Sequence, residues 1–275
     1  TGPTMTITSS TADTGATTGT AAFALTFTSN EATSDFAAAD ITASSCTLGT
    51  FAANSSTVYT DTCTPADGAT ASVVVAAETF NDALGNDNSV SNTYSWTYDG
   101  TGPTMTITSS TADTGATTAT AAFALTFTSN EATTDFIADD ITANSCTLSS
   151  LTGSSSTVYT ATCTPADGAT ASVLVAASTF NDAVGNDNSV SNTYSWTYDG
   201  TGPTMTITSS TVSSGASTTT AAVALTFTSN EATSNFAQAD ITESGCSLGS
   251  FGTTSSTIYT DTCTVSADGA ASVLV

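Results

Sequence analysis

Apolar residues along this chain fall on alternate positions in short runs. Met5 and Ile7 alternate with Thr4, Thr6 and Thr8, and Phe23, Leu25 and Phe27 alternate with Ala24, Thr26 and Thr28. Val73 and Val75 continue the pattern, followed by Tyr94, Trp96 and Tyr98 interleaved with Ser95 and Thr97. A period of two turns one face of each run inward and the other to water, which defines half-buried β-strands. Turn-forming stretches separate the runs: Asp13-Thr14-Gly15, Ala53-Asn54-Ser55-Ser56, Pro65-Ala66-Asp67-Gly68 and Gly85-Asn86-Asp87-Asn88. No segment carries a helical period. About seven strands in about 100 residues predict a β-sandwich, so the fold class is all-β. Trp96 and Phe27, both on inward faces, are expected to share its core.

The pattern recurs at a period of one domain. Residues 1–100 and 101–200 align without a gap and differ at 15 positions, and the opening TGPTMTITSS returns at 201. A period of 100 exceeds the roughly 20–50 residues of solenoid repeats and matches a whole domain. The reading is therefore repeat one at 1–100, repeat two at 101–200 and an incomplete repeat three at 201–275. The third copy stops before the counterparts of Phe80 to Gly100, so its final strand is expected to be absent, disordered or supplied by a neighbour.

Charge sharpens the picture. The 275 residues include 24 acids and no Lys, Arg or His. Without cations there is nothing to neutralise phosphates, which excludes nucleic-acid binding, and an anionic membrane surface repels the chain. Thr and Ser make up much of the remainder, and Thr suits a pleated, half-exposed surface. No run reaches the roughly 20 apolar residues of a membrane span. No leader segment is visible and the chain opens at Thr1, so it reads as processed or as part of something longer.

The six cysteines come two per repeat, 17 positions apart: Cys46 and Cys63, Cys146 and Cys163, Cys246 and Cys263. Cys46–Phe51 and Thr57–Thr64 read as a hairpin turning near Asn54-Ser55. In the register expected here, Cys46 faces Cys63 directly and an intra-repeat disulfide follows. Two Cys without His make a poor zinc site, and a redox motif favours closer spacing. A disulfide implies an oxidising, extracellular or cell-surface location.

Catalytic chemistry finds little purchase. The absence of His removes Ser-His-Asp and Cys-His arrangements, and the absence of Lys removes Schiff bases. Paired carboxylates such as Glu31 and Asp40 are the remaining option, and an active site copied into every small repeat is not expected. The chain is read as no enzyme, with no catalytic residues. The acids suit calcium better, which takes six to eight oxygen ligands. Two clusters stand out: Asp82-Ala83-Leu84-Gly85-Asn86-Asp87-Asn88 and the joint Tyr98-Asp99-Gly100-Thr101-Gly102-Pro103. Asp, Asn and Gly are also ordinary turn formers, and the first cluster lacks the spacing of an EF-hand loop. Asn54-Ser55-Ser56 is a glycosylation sequon that the other repeats lack.

These segments resemble a known family. Leu25–Glu31, Asp35-Phe36 and Asp40-Ile41-Thr42 resemble the "TFSE…F…DIT" segment of bacterial-type Ig-like repeats. Thr79–Ala83 with Gly85-Asn86 is similar to their "FTDAAGN" segment, and Trp96–Asp99 leading into Pro103 to their "W-x-x-D-x-T-x-P" linker. Such tandem immunoglobulin-like β-sandwich domains build large extracellular, calcium-dependent, RTX-like adhesins and marine microbial surface proteins. The resemblance implies an extracellular spacer, stalk or filament module rigidified by calcium. It implies Glu31, Asp82 and Asp99 as metal ligands, and Glu131, Asp182 and Asp199 in the next repeat. Asp82 and Asp99 are expected to lead, with Asp182 and Asp199 as their counterparts. The cysteine pair is not a general feature of that family, and Trp96 sits near the end of the repeat, unlike the mid-domain core Trp of antibody domains.

Three functions remain open at this stage. A mechanical spacer contacts its neighbouring repeats. A polymerising fibre subunit contacts copies of itself by adding a strand to the incomplete third repeat. A carbohydrate-binding module stacks exposed aromatics such as Tyr59 on glycans.

Overall fold

The computed structural model describes residues 1–33, 35–266 and 268–275. It forms two compact units, Thr1–Asp199 and Gly200–Val275. In the first repeat the strands are β1 (Met5–Thr8), β2 (Thr17–Thr18), β3 (Phe23–Ser29), β4 (Ile41–Ser44), β5 (Cys46–Leu48), β6 (Ala52–Ala53), β7 (Val58–Pro65), β8 (Thr70–Val75) and β9 (Tyr94–Tyr98). One sheet runs β1-β3-β7-β5, with β6 also on β7, and the other runs β2-β9-β8-β4. All pairings are antiparallel except β2 with β9. The second repeat repeats this order strand for strand. The fold is all-β, an immunoglobulin-like sandwich in tandem.

Alternation does what the pattern predicts. In β3, Phe23, Leu25, Phe27 and Ser29 are buried and the residues between them face outward. Trp96 is fully buried, but its ring lies on Phe23, centroids 4.3 Å apart, whereas Phe27 packs on Phe36 at 5.9 Å. Trp96 and Phe27 thus share one core as expected, each with its nearest ring contact to a different partner. Phe23 and Phe27 are four residues apart on one strand, so both point inward at different heights in the core, and β9 crosses at the height of Phe23. Repeat two stacks Phe123 on Trp196 at 4.3 Å in the same way.

Tyr59, proposed above as a sugar platform, is 3% exposed. Its ring stacks on Phe51 and its hydroxyl donates to the carbonyls of Thr33 and Ser56. Its inward place on β7 between Thr60 and Val58 takes it out of the surface.

The disulfides Cys46–Cys63, Cys146–Cys163 and Cys246–Cys263 are present, with Cα separations of 5.6 to 5.7 Å. The register differs from the expected one: Pro65 lies opposite Cys46, and Leu48 lies opposite Cys63. The bond therefore runs diagonally. The turn closes at Asn54–Val58 and pairs Ala53 with Tyr59; one extra residue between β5 and β6 then shifts the ladder by one.

That bulge is secured in two ways. In repeat one Asp61, 3% exposed, accepts from the N–H groups of Gly49 and Thr62. In repeat two Ala161 stands at this position, and the Ser149 hydroxyl accepts from the Thr162 N–H instead. Gly49/Asp61 and Ser149/Ala161 are alternating solutions to one backbone need. Exchanging only Asp61 for Ala should therefore destabilise repeat one by about 1–2 kcal/mol, with D61A/G49S recovering part of it in chemical denaturation.

In the unit Gly200–Val275, one sheet is built from Met205–Ser209, Ala222–Ser229, Ile258–Val265 and Cys246–Leu248, with Gly252–Thr253 also on Ile258–Val265. The opposing sheet holds two strands among the described residues, Thr242–Ser244 and Ser272–Leu274.

A carboxylate cluster at the joint of the first two repeats

The linker from repeat one to repeat two is anchored at nearly every residue. The Asp99 N–H donates to Thr18 O at 3.0 Å. The Gly100 N–H donates to Asp67 Oδ1 at 2.6 Å, and the Thr101 hydroxyl donates to Asp67 Oδ2. Pro103 is buried in repeat two, and its carbonyl accepts from the Ser189 N–H. The Thr104 N–H donates to Asn130 Oδ1 at 2.6 Å. Gly102 is required by close approach: a Cβ there would sit 1.8 Å from the Asp187 carbonyl oxygen.

Repeat two receives this linker on its 182–188 loop. Asn188, 2% exposed, uses its side-chain oxygen to accept from Thr179 and Phe180 and its amide to donate to Ala176 and Ser189. Asp182 accepts from the N–H groups of Val184 and Asn186 and from the Asn186 amide. That amide also donates to Asp99 O at 2.8 Å, which ties the loop across the joint. Gly19 of repeat one faces the same loop, where a Cβ would lie 3.2 Å from Val184 O and from Asn186 Oδ1.

The joint gathers three carboxylates. Oxygens of Asp99, Glu131 and Asp182 all lie within 4.8 Å of one another. Burial pushes the Glu131 carboxyl above its ordinary range, and the charges of Asp99, Asp182 and Asp67 push it further. Burial also acts to raise Asp182, but hydrogen bonds from Asn186, Val184 and Gly185 outweigh it and hold this carboxyl below its usual range. The joint of the first two repeats is thus a pocket of negative charge and hard oxygen donors.

Of the six acids named from the resemblance, the structure brings together Asp99, Glu131 and Asp182. Asp99 is gathered with Glu131 and Asp182 of the following repeat, and Asp82 of its own repeat stands apart from them. The chain leaves β9 toward the loop of the following repeat, so Asp99 meets Asp182. Asp82 is engaged in its own turn, accepting from Leu84 and Asn86. Among the described residues, neither Asp82 nor Glu31 joins a carboxylate cluster. Asp199 closes repeat two as Asp99 closes repeat one, its N–H donating to Thr118 O. Asp40, half of the imagined catalytic pair, accepts from the Ala37 N–H at the start of a short 3-10 turn. Sequence reading passed over Asp67, whose Asp-Gly turn looks ordinary, while Asn186 is the counterpart of Asn86 in the first of the two candidate calcium clusters.

Glu131 predicts a pH dependence of definite sign. Its folded carboxyl binds a proton more tightly than its unfolded one, so its contribution is stabilising below the ordinary carboxylate range and is lost as pH rises through the raised value. Without divalent cations, wild type minus Glu131→Gln stability should fall across that window. Thermal melts at stepped pH in chelator check this, and a flat or rising difference contradicts it.

The profile of the bacterial Ig-like domain matches residues 1–98, 99–198 and 199–275. The chain is therefore built of immunoglobulin-like domains of bacterial type. It belongs to the bacterial Ig-like domain family, in three consecutive copies. No curated protein matches it. Among solved structures it is similar to invasin, a bacterial integrin-binding protein, at 14% identity and a TM-score of 0.38, covering 98% of this chain and 56% of that one. It is also similar to InvD of Yersinia pseudotuberculosis, at 15% identity and a TM-score of 0.36, covering 98% and 81%. The chain thus spans about half the length of the invasin structure. No helix among the described residues is long and apolar enough to cross a membrane.

Proposed function

We propose that this chain is an extracellular spacer segment of a long, repetitive surface adhesin, whose work is reach and display rather than chemistry. The observation that carries this reading is the anchored linker. Asp99, Gly100, Thr101, Pro103 and Thr104 each hold a hydrogen bond to one flanking repeat, and Asn186 ties the two together. A joint of this kind resists bending, which suits a stalk. Family membership supports the reading, as do three disulfides, which persist in oxidising surroundings.

A calcium ion at Asp99, Glu131 and Asp182 completes the proposal. The donor set fits: all are carboxylates, the group calcium prefers, and Glu131 is held in a field of like charge that a dication relieves. When bound, the ion would supply charge neutralisation at the joint. Calcium added to chelator-treated protein should raise the melting temperature of Thr1–Asp199 and narrow its distribution of bend angles in small-angle scattering. D99N/E131Q/D182N should abolish both responses. Responses that persist in this variant would place any cation elsewhere, and a joint equally stiff with and without calcium would leave the linker hydrogen bonds to account for the spacer.

A further inference from the structure

The three repeats treat one inward position of the same strand in three ways. On β7 of repeat one, Asp61 is the inward residue between Tyr59 and Cys63, all three are buried, and Leu25 lies opposite it. Asp61 accepts from the N–H groups of Gly49 at 3.0 Å and Thr62 at 2.7 Å, both on Oδ1. Its other oxygen, Oδ2, is buried with no hydrogen-bond partner among the described residues. Taking a carboxylate oxygen out of water without a partner is costly. The chain contains no Lys, Arg or His, so no side chain supplies the missing positive charge.

In the unit Gly200–Val275 the same carboxylate is completed from within. Asp261, also 3% exposed, accepts from the Gly249 and Thr262 N–H groups on Oδ1 at 3.0 Å and 2.6 Å. Gln238 Nε2 then donates to its Oδ2 at 2.7 Å and to the Gly249 carbonyl at 3.1 Å. Gln238 opens the 3-10 turn Gln238–Asp240, which repeat one copies as Ala38–Asp40. In both, the Asp side chain accepts from the N–H just before the turn. Repeat one therefore keeps the acid and the turn but carries Ala38 where the amide arises. Repeat two carries Ala138 and Ala161, so acid and amide are lost together. Asp with Gln and Ala with Ala are closed pairs, and Asp61 with Ala38 is the open one.

We propose that repeat one binds a small, hard monovalent cation of the size of sodium at the place of the Gln238 amide nitrogen, held by Asp61 Oδ2 and the Gly49 carbonyl. Three features select this ligand. The two groups that converge on Gln238 Nε2 in the third repeat are both acceptors, so their counterparts in repeat one call for a cation or a donor. The charge on Oδ2 is uncompensated in a chain of net charge −24, which draws cations from solution. One carboxylate and one carbonyl fall short of the six to eight oxygens that calcium takes, whereas a singly charged ion matches one carboxylate and fills its shell with water. Ala38 is exposed and stands one glutamine side chain from Asp61, which gives the ion a short route from solvent. The inference involves neither the carboxylate cluster at the joint nor the spacer reading.

The test uses the 275-residue chain in chelator, with sodium chloride titrated against tetramethylammonium chloride at constant ionic strength. Tetramethylammonium carries the same charge but is too bulky for the site. Hydrogen exchange read by mass spectrometry separates the repeats, because residues 49–65 differ in sequence from 149–165 and 249–265. Sodium should slow exchange in Val58–Pro65 saturably, by about tenfold at about ten times its dissociation constant, and leave Val158–Pro165 and Ile258–Val265 unchanged. Ala38→Gln should slow exchange without sodium and abolish the response to it. Asp61→Ala should abolish the response too, and Ala38→Gln keeps the test decisive if that variant misfolds. Equal exchange of wild type in the two salts would overturn the proposal. So would a response of the same size in all three repeats, which marks a general salt effect, or a response that survives in Ala38→Gln. Slower exchange in Ala38→Gln with no response of wild type to sodium would put a water on Asp61 and also defeat it.

Discussion

Trp96→Ala should cost the first repeat about 3–5 kcal/mol, the range for removing a large aromatic from a close-packed core. The indole is fully buried, stacks on Phe23 and touches Tyr94 at a centroid distance of 6.4 Å. It also lies on β9, the strand that holds β2 to β8, so truncation leaves a cavity beneath the strand that joins them. Chemical denaturation of the variant should resolve an early transition for repeat one. Trp96→Phe separates two contributions. The Trp96 Nε1 is buried without a hydrogen-bond partner, so phenylalanine removes an unsatisfied donor while keeping most of the apolar contact. Its cost should be under half that of alanine. A Trp96→Ala protein as stable as wild type would mean that β9 does not close this sandwich.

Loss of a disulfide is the second large effect. Each bond closes a loop of 17 positions, and in the chain-entropy account such a crosslink contributes about 3 kcal/mol by restricting the unfolded chain. Cys63 is fully buried against Phe23 and Leu48, so replacing it also perturbs packing. C46A/C63S should therefore lower repeat one by about 3 kcal/mol or more, and reduction of wild type should lower all three repeats. Differential scanning calorimetry with and without reductant reads both. Non-reducing peptide mapping should recover three intra-repeat crosslinks, and links between repeats would contradict the assignment. Because Asp61 secures the adjoining bulge, losses from Asp61→Ala and C46A/C63S should not add fully.

Much of the fold was legible because a strand with one wet face writes its period into the chain. Met5 and Ile7, Phe23 to Phe27, and Tyr94 to Tyr98 all lie on the strands and faces that alternation assigns them. The hairpin register was misread by two residues because turn geometry and a bulge set it, and neither alters the apolar pattern. Tyr59 was mistaken for a surface residue because much of its shielding comes from Phe36 and the Thr33 carbonyl, both more than 20 residues away along the chain.

The candidate site divides the same way. Residue type and family resemblance singled out Asp99, Glu131 and Asp182, since hard oxygen donors near glycine turns are visible in any reading. Which of the six acids meet depended on the direction in which the chain leaves one sandwich and the end of the next that it enters. That direction also made Asp67 and Asn186 part of the joint. The sequence by itself determined the all-β class, the period of 100, the cysteine partners and the absence of any cation, because each is a matter of composition or local periodicity. Only the tertiary structure decided that Trp96 seals against Phe23 and that Asp99 faces Asp182 instead of Asp82. Those facts rest on which strands cross at which height, and that is set by packing two sheets face to face.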